Sequence, residues 1–128
     1  MSIFDLAEFD AFVAGMGGGR TLDQWDARVA KVGDKVFAVL GIGDEPRRVV
    51  VKVDPAEFDF LTTLAGVGQA PYFAKGHWVA VSEGGALPDD EVRACIADSW
   101  ALVAAKLTRK ARAELGITLP PPDAEVTS

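Results

Sequence analysis

The sequence predicts an α+β fold: a two-layer sandwich with a mainly antiparallel sheet, and N-terminal and C-terminal helices on one of its faces. Three observations predict it. Residues 47–53 read RRVVVKV, so Val49, Val51 and Val53 share one side and Arg48, Val50 and Lys52 the other. That is a sheet dry on one face and wet on the other. Two strand-like runs flank Gly33-Asp34, a two-residue link that favours a type II′ hairpin. Val92, Cys95, Ile96, Ser99, Val103 and Leu107 recur at helical spacing and form one core-facing stripe.

The elements follow in order. A first helix is expected from Ser2, where Ser2 and Asp5 have the spacing of a capping box, to the glycine run 15–19, which must end it. From residue 25 to 53 the period becomes strand-like, with strands at 27–32, 35–40 and 47–53. Asp54-Pro55 is a cap followed by proline at the first helical position, opening a short helix to about residue 64. A second hairpin is expected between 71–74 and 77–82 around Lys75-Gly76. The longest helix starts at Pro88 with an acidic first turn and runs through Lys106, Arg109, Lys110 and Arg112, as the helix dipole prefers. Residues 1–116 are expected to form one domain, and the proline-rich 117–128 a loose tail.

Composition bounds the function. The chain has 128 residues, 49% hydrophobic and 25% charged, which is ordinary for one globular domain. No stretch approaches the ~20 apolar residues of a membrane span, and MSIFDLAEFD carries acids where a signal peptide carries bases. One cysteine permits no intramolecular disulfide and fits a cytoplasmic location. The net charge is −6, but unevenly spread: residues 27–52 hold six bases against three acids, and residues 105–112 hold four bases and no acid. Nucleic acid would be repelled at long range, so any contact must come from such local patches.

Catalytic chemistry is missing. The lone His77 lies in an expected strand with no G-x-S-x-G or second histidine to support a nucleophile or a metal. Cys95 lies on the buried stripe, where a small inert core residue is the usual role. Ser99, on the same stripe, could bond back to the carbonyl four residues earlier. Asp5, Glu8 and Asp10 are too few for an acidic metal ridge. The expectation is no enzyme, no cofactor and no metal. Basic and aromatic residues on strands remain. Arg48 and Lys52 lie on the open face, Lys31 and Lys35 on the neighbouring hairpin, and Phe37 or Trp78 stands between them.

Four stretches resemble the MmcQ/YjbR family in order and spacing: VGDKVFA at 32–38, VKVDP at 51–55, APY at 70–72 with KGHW at 75–78, and SWALV at 99–103 followed by Leu107, Lys110 and Arg112. The resemblance covers about residues 20–112, although residues 16–21 lack the Leu-Pro-Gly-like opening frequent in the family. It implies a CyaY-like (bacterial frataxin-like) α+β fold and DNA binding by two hairpin wings. The first wing would carry Lys35 and Lys52, the second Lys75, His77 and Trp78. The nucleic-acid-binding set expected here is Lys35, Arg48, Lys52, Lys75, His77, Trp78, Arg109, Lys110 and Arg112, with Trp78 stacking and the cations neutralising phosphates.

An alternative of a different class is a non-enzymatic protein-interaction or small-ligand module. It would use a pocket near Tyr72, His77 and Trp78, and the long helix would offer the smooth face Ala94, Ala97, Ala101, Ala104 and Ala105 to another subunit. The expected partners are DNA and at most a weak homodimer; a membrane is not among them.

Overall fold

Described in the computed structural model are residues 2–24, 26–43, 45–70 and 77–117. Among these residues, alternation and turn chemistry build six strands: β1 (Gly19–Gln24), β2 (Ala27–Val32), β3 (Lys35–Gly41), β4 (Arg48–Lys52), β5 (Val67–Gln69) and β6 (Trp78–Ser82). They form one open antiparallel sheet in the order β1-β2-β3-β4-β6-β5. The β2–β3 link is the expected one: Gly33 has φ +62°, and Asp34 is not among the positive-φ residues, as a type II′ turn requires.

Among the described residues, four helices pack on one face: α1 (Leu6–Ala14), α2 (Pro55–Leu61), α3 (Asp89–Ala104) and α4 (Arg109–Glu114). The core lies between them and the sheet. Phe9 and Val13 of α1, Leu61 of α2, and Val92, Ile96 and Val103 of α3 meet Val32, Leu40, Val49, Val51, Val79 and Val81. Asp54 caps α2 by accepting from the Glu57 N–H at 2.9 Å, with Pro55 next in line.

Several expectations are corrected. The first helix begins at Leu6 rather than Ser2. Ile3 and Phe4 are buried, and the Ile3 N–H donates to Asp89 at 2.6 Å, so tertiary packing pulls this segment out of the helix. Ser2 caps nothing helical; its hydroxyl accepts from the Phe4 N–H at 3.1 Å. The glycine run ends the helix as expected but leads directly into β1, an edge strand missing from the sequence reading. Besides β4, β6 pairs with β5, where Gly66 and Gly68 suggested only a helix end. The expected strand at 71–74 lies outside the described residues.

The long helix is two. It stops at Ala104, and Thr108 caps α4 by accepting from the Ala111 N–H at 3.0 Å. Arg112 turns back to donate to the carbonyls of Ala105 and Leu107 at 3.2 and 2.8 Å, satisfying the end of α3. Among the described residues, no helix is long and apolar enough to cross a membrane.

Ser99 is the buried polar residue of the core, and it does not bond back along its own helix. Between Ala30 and Lys31 the β2–β3 register slips, leaving Phe37 as an extra residue on β3. Phe37 therefore turns inward beside Ala38 and is fully buried, where strict alternation would put it on the wet face with the lysines. The β3–β4 ladder ends at the Ala38–Val51 pair. In the gap beyond, Ser99 donates to the Phe37 carbonyl at 2.6 Å and accepts from the Lys52 N–H at 2.9 Å. One hydroxyl satisfies two backbone groups that the bulge has separated.

Candidate nucleic-acid interface

The face turned away from the helices is built by the alternate residues of the same strands. Leu22, Val29, Val39, Val50 and Ala80 stand in one cross-strand row through the pairs Leu22–Val29, Val29–Val39, Val39–Val50 and Val50–Ala80. Leu22, Ala27, Val29, Val36, Val39 and Val50 make a second, smaller apolar cluster to which no described helix contributes.

A basic row runs along one side of this cluster. Arg20 is directly opposite Lys31, and Lys31 opposite Val36. Across the gap held by Ser99, Lys52 is directly opposite Trp78. On the other side of the cluster Arg48 pairs with Ser82. Arg20, Lys31, Arg48 and Lys52 are thus four cations on one face. None of its strand positions holds a carboxylate: Asp23 pairs with Arg28 on the opposite face, where Arg28 also meets Asp10 of α1 at 3.5 Å. Arg20 and Lys31 repel where they face each other, a pairing that an anion would relieve. The row crosses five strands, about 19 Å at the ordinary strand spacing.

The expected site residues scatter. Lys52 and Trp78 come together as cross-strand neighbours, both half-buried, and Arg48 shares their face. Lys35 is exposed but pairs with Val32, which packs toward the helices, so it leans to the opposite side of the sheet from Lys52. His77 and Trp78 also diverge, as neighbours on an extended chain must. His77 meets the Phe58 ring of α2 edge-on at 5.3 Å, whereas Trp78 faces outward. Among the described residues the two side chains stand on opposite sides of the sheet. Lys75 and Tyr72 lie outside the described residues. Arg109 and Lys110 are exposed on α4, at the helix side of the molecule, and Arg112 is engaged in capping α3.

Arg20 was overlooked because nothing in GRTLDQ signals a strand; with β1 assigned, alternation would have found it. The N-terminal acids serve α1 packing: Glu8 pairs with Arg93 at 3.2 Å. Cys95, half-buried, has its thiol pushed up to about 11 by burial first and then by Asp98, Glu57 and Glu91. A thiol so protonated is a poor nucleophile at neutral pH.

An open antiparallel sheet with the described helices on one face, and a basic and aromatic row on the other, defines an α+β sandwich with one face left uncovered by helices. The family model YjbR matches residues 19–102, and the chain belongs to the YjbR family. Two solved structures are similar. The Deinococcus radiodurans protein DR2400, with its DUF419 domain, is 24% identical, with TM-score 0.78 over 88% of each chain. A Pseudomonas syringae protein solved as a structural-genomics target is also 24% identical, with TM-score 0.63 over 77% of this chain and 97% of that one. These likenesses establish the fold. None of the curated proteins matches the chain.

Proposed function

We propose that the outer sheet face binds single-stranded DNA. The observation that carries this reading is charge segregation: a chain of net charge −6 keeps four cations and no carboxylate on the strand positions of its helix-free face, with Trp78 beside Lys52. Arg20, Lys31, Lys52 and Arg48 would neutralise phosphates, and Trp78 would stack a base. Stacking needs bases already out of a duplex, which favours single strands. The family resemblance points to DNA through hairpin wings. The face described here shares Arg48, Lys52 and Trp78 with that expectation and replaces Lys35 by Arg20 and Lys31. The role is one of binding, with no catalytic step.

Titration of labelled single- and double-stranded DNA at 50 and 200 mM salt tests it. Four phosphate contacts on a single strand give a log–log salt slope of about −3, hence an affinity loss of about 50-fold over that range. The double variant Lys31→Ala/Lys52→Ala should halve the slope, and Trp78→Ala should weaken binding by roughly 5- to 100-fold with little change of slope. Absence of binding at 50 mM salt, or an unchanged slope in the double variant, would refute the assignment.

A further inference from the structure

On the helix side, a groove of about 430 Å³ separates α2 from α3. Its apolar lining is Val53, Leu102, the half-buried Cys95 and the exposed Ala101 and Ala105. Its rim is acidic, with Asp54, Glu57 and Asp98, and among the described residues no lysine or arginine lines it. The acids converge closely enough that both Asp98 and Glu57 raise the Cys95 thiol. Ala105, at the C-terminal end of the groove, leads straight into Lys106, Arg109 and Lys110. All three are exposed, and among the described residues their side chains make no hydrogen bond or ion pair. Arg112, bonded to the Ala105 carbonyl, keeps α4 folded beside this end of α3.

We infer that the groove is a self-association site, and that its occupant is the 106–110 segment of a second copy of this chain. The argument is charge complementarity carried twice by one molecule. Along α3 the acidic groove comes first and the basic cluster follows. A two-fold axis near Leu102 runs the two α3 helices antiparallel and lays each basic cluster on the other copy's groove. Such a contact is reciprocal and closes at two subunits. The exposed Ala101 and Ala105 let the helices approach closely. A helix of 16 residues offers a strip only ~24 Å long, so the dimer is weak and salt-sensitive. The site lies across the sheet from the basic row and does not depend on the DNA assignment.

Sedimentation velocity of the full chain from 10 to 500 µM, at 50 and 500 mM salt, provides the test. The wild type should dimerise at 50 mM and dissociate at 500 mM. Asp98→Lys, or Arg109→Glu/Lys110→Glu, should each be monomeric, while an equimolar mixture of the two should recover a heterodimer, because each then offers the charge that the other lacks. These positions are exposed, so both variants keep the core, which circular dichroism checks. Alkylation of Cys95 at pH 9 should slow as protein concentration rises in the wild type and not in the variants. A wild type that stays monomeric at 500 µM in low salt overturns the inference. So does a dimer that survives both charge reversals.

Discussion

The two faces of the sheet are written by alternate residues of the same strands and obey different rules. On β4, Val49 and Val51 have no accessible surface, and each meets a helix-covered core. Arg48, Val50 and Lys52, one residue away in each case, are exposed or half-buried, and their side chains stand outside that core. β6 repeats this with Val79 and Val81 inside and Trp78, Ala80 and Ser82 outside. The inner face is constrained by volume, since a core packed to crystal-like density feels each missing methylene. The outer face is constrained by charge, because its polar positions neither fill a cavity nor anchor a helix. In this fold one face maintains the structure and the other is free to be shaped for binding.

The largest expected effect is the inner-face substitution Phe37→Ala, which should lower unfolding stability by about 3–5 kcal/mol. Val50→Ala, on the outer face, should stay below about 1 kcal/mol. Urea denaturation of both measures the asymmetry, and equal losses would mean that the outer cluster is core in its own right.

Ser99→Ala joins the two faces. It removes the hydroxyl that bridges the Phe37 carbonyl and the Lys52 N–H, leaving two buried backbone groups unpaired at about 1–3 kcal/mol. Because Lys52 hangs on that bond, its amide should also lose hydrogen-exchange protection, with little change at Val49 and Val50.

The smallest effect lies far from either face, where Asp89 ties the N-terminal segment to α3. Burial alone would raise this carboxyl, but the Ile3 N–H, the Arg93 hydrogen bond and the Arg93 charge together hold it below the usual carboxylate range. Its folded pKa is depressed, so the stabilisation is present above about pH 4, the unfolded value, and is lost as pH falls through the folded one. The pH–stability curve of Asp89→Asn should therefore be flatter than that of the wild type on the acid side, and the two should converge at low pH. A constant offset down to pH 2 would contradict this linkage.

Much of this architecture was legible because it is local. The alternation in 47–53, the Gly33-Asp34 turn and the Asp54-Pro55 cap each depend on residues that touch along the chain, and each stands where the pattern put it. The candidate site was half legible: Arg48, Lys52 and Trp78 were named from their strands. That Lys52 lies opposite Trp78 follows from β6 pairing with β4, which no turn between them announces. β1 and β5 were missed because an edge strand and a three-residue strand need a partner's ladder more than an apolar pattern. The break between α3 and α4 depends on Arg112 folding back, an interaction hidden in an otherwise helical run.

By itself, then, the sequence determined the class of fold and the wet and dry sides of its central strand, since periodicity is a property of the chain. Only the tertiary structure decided that Phe37 belongs to the core and Trp78 to the open face. The bulge beside Ser99 shifts Phe37 against its neighbours, and strand order sets what lies across from Trp78. Side-chain direction in a sheet changes with a single residue of register, and register is agreed between strands rather than within one.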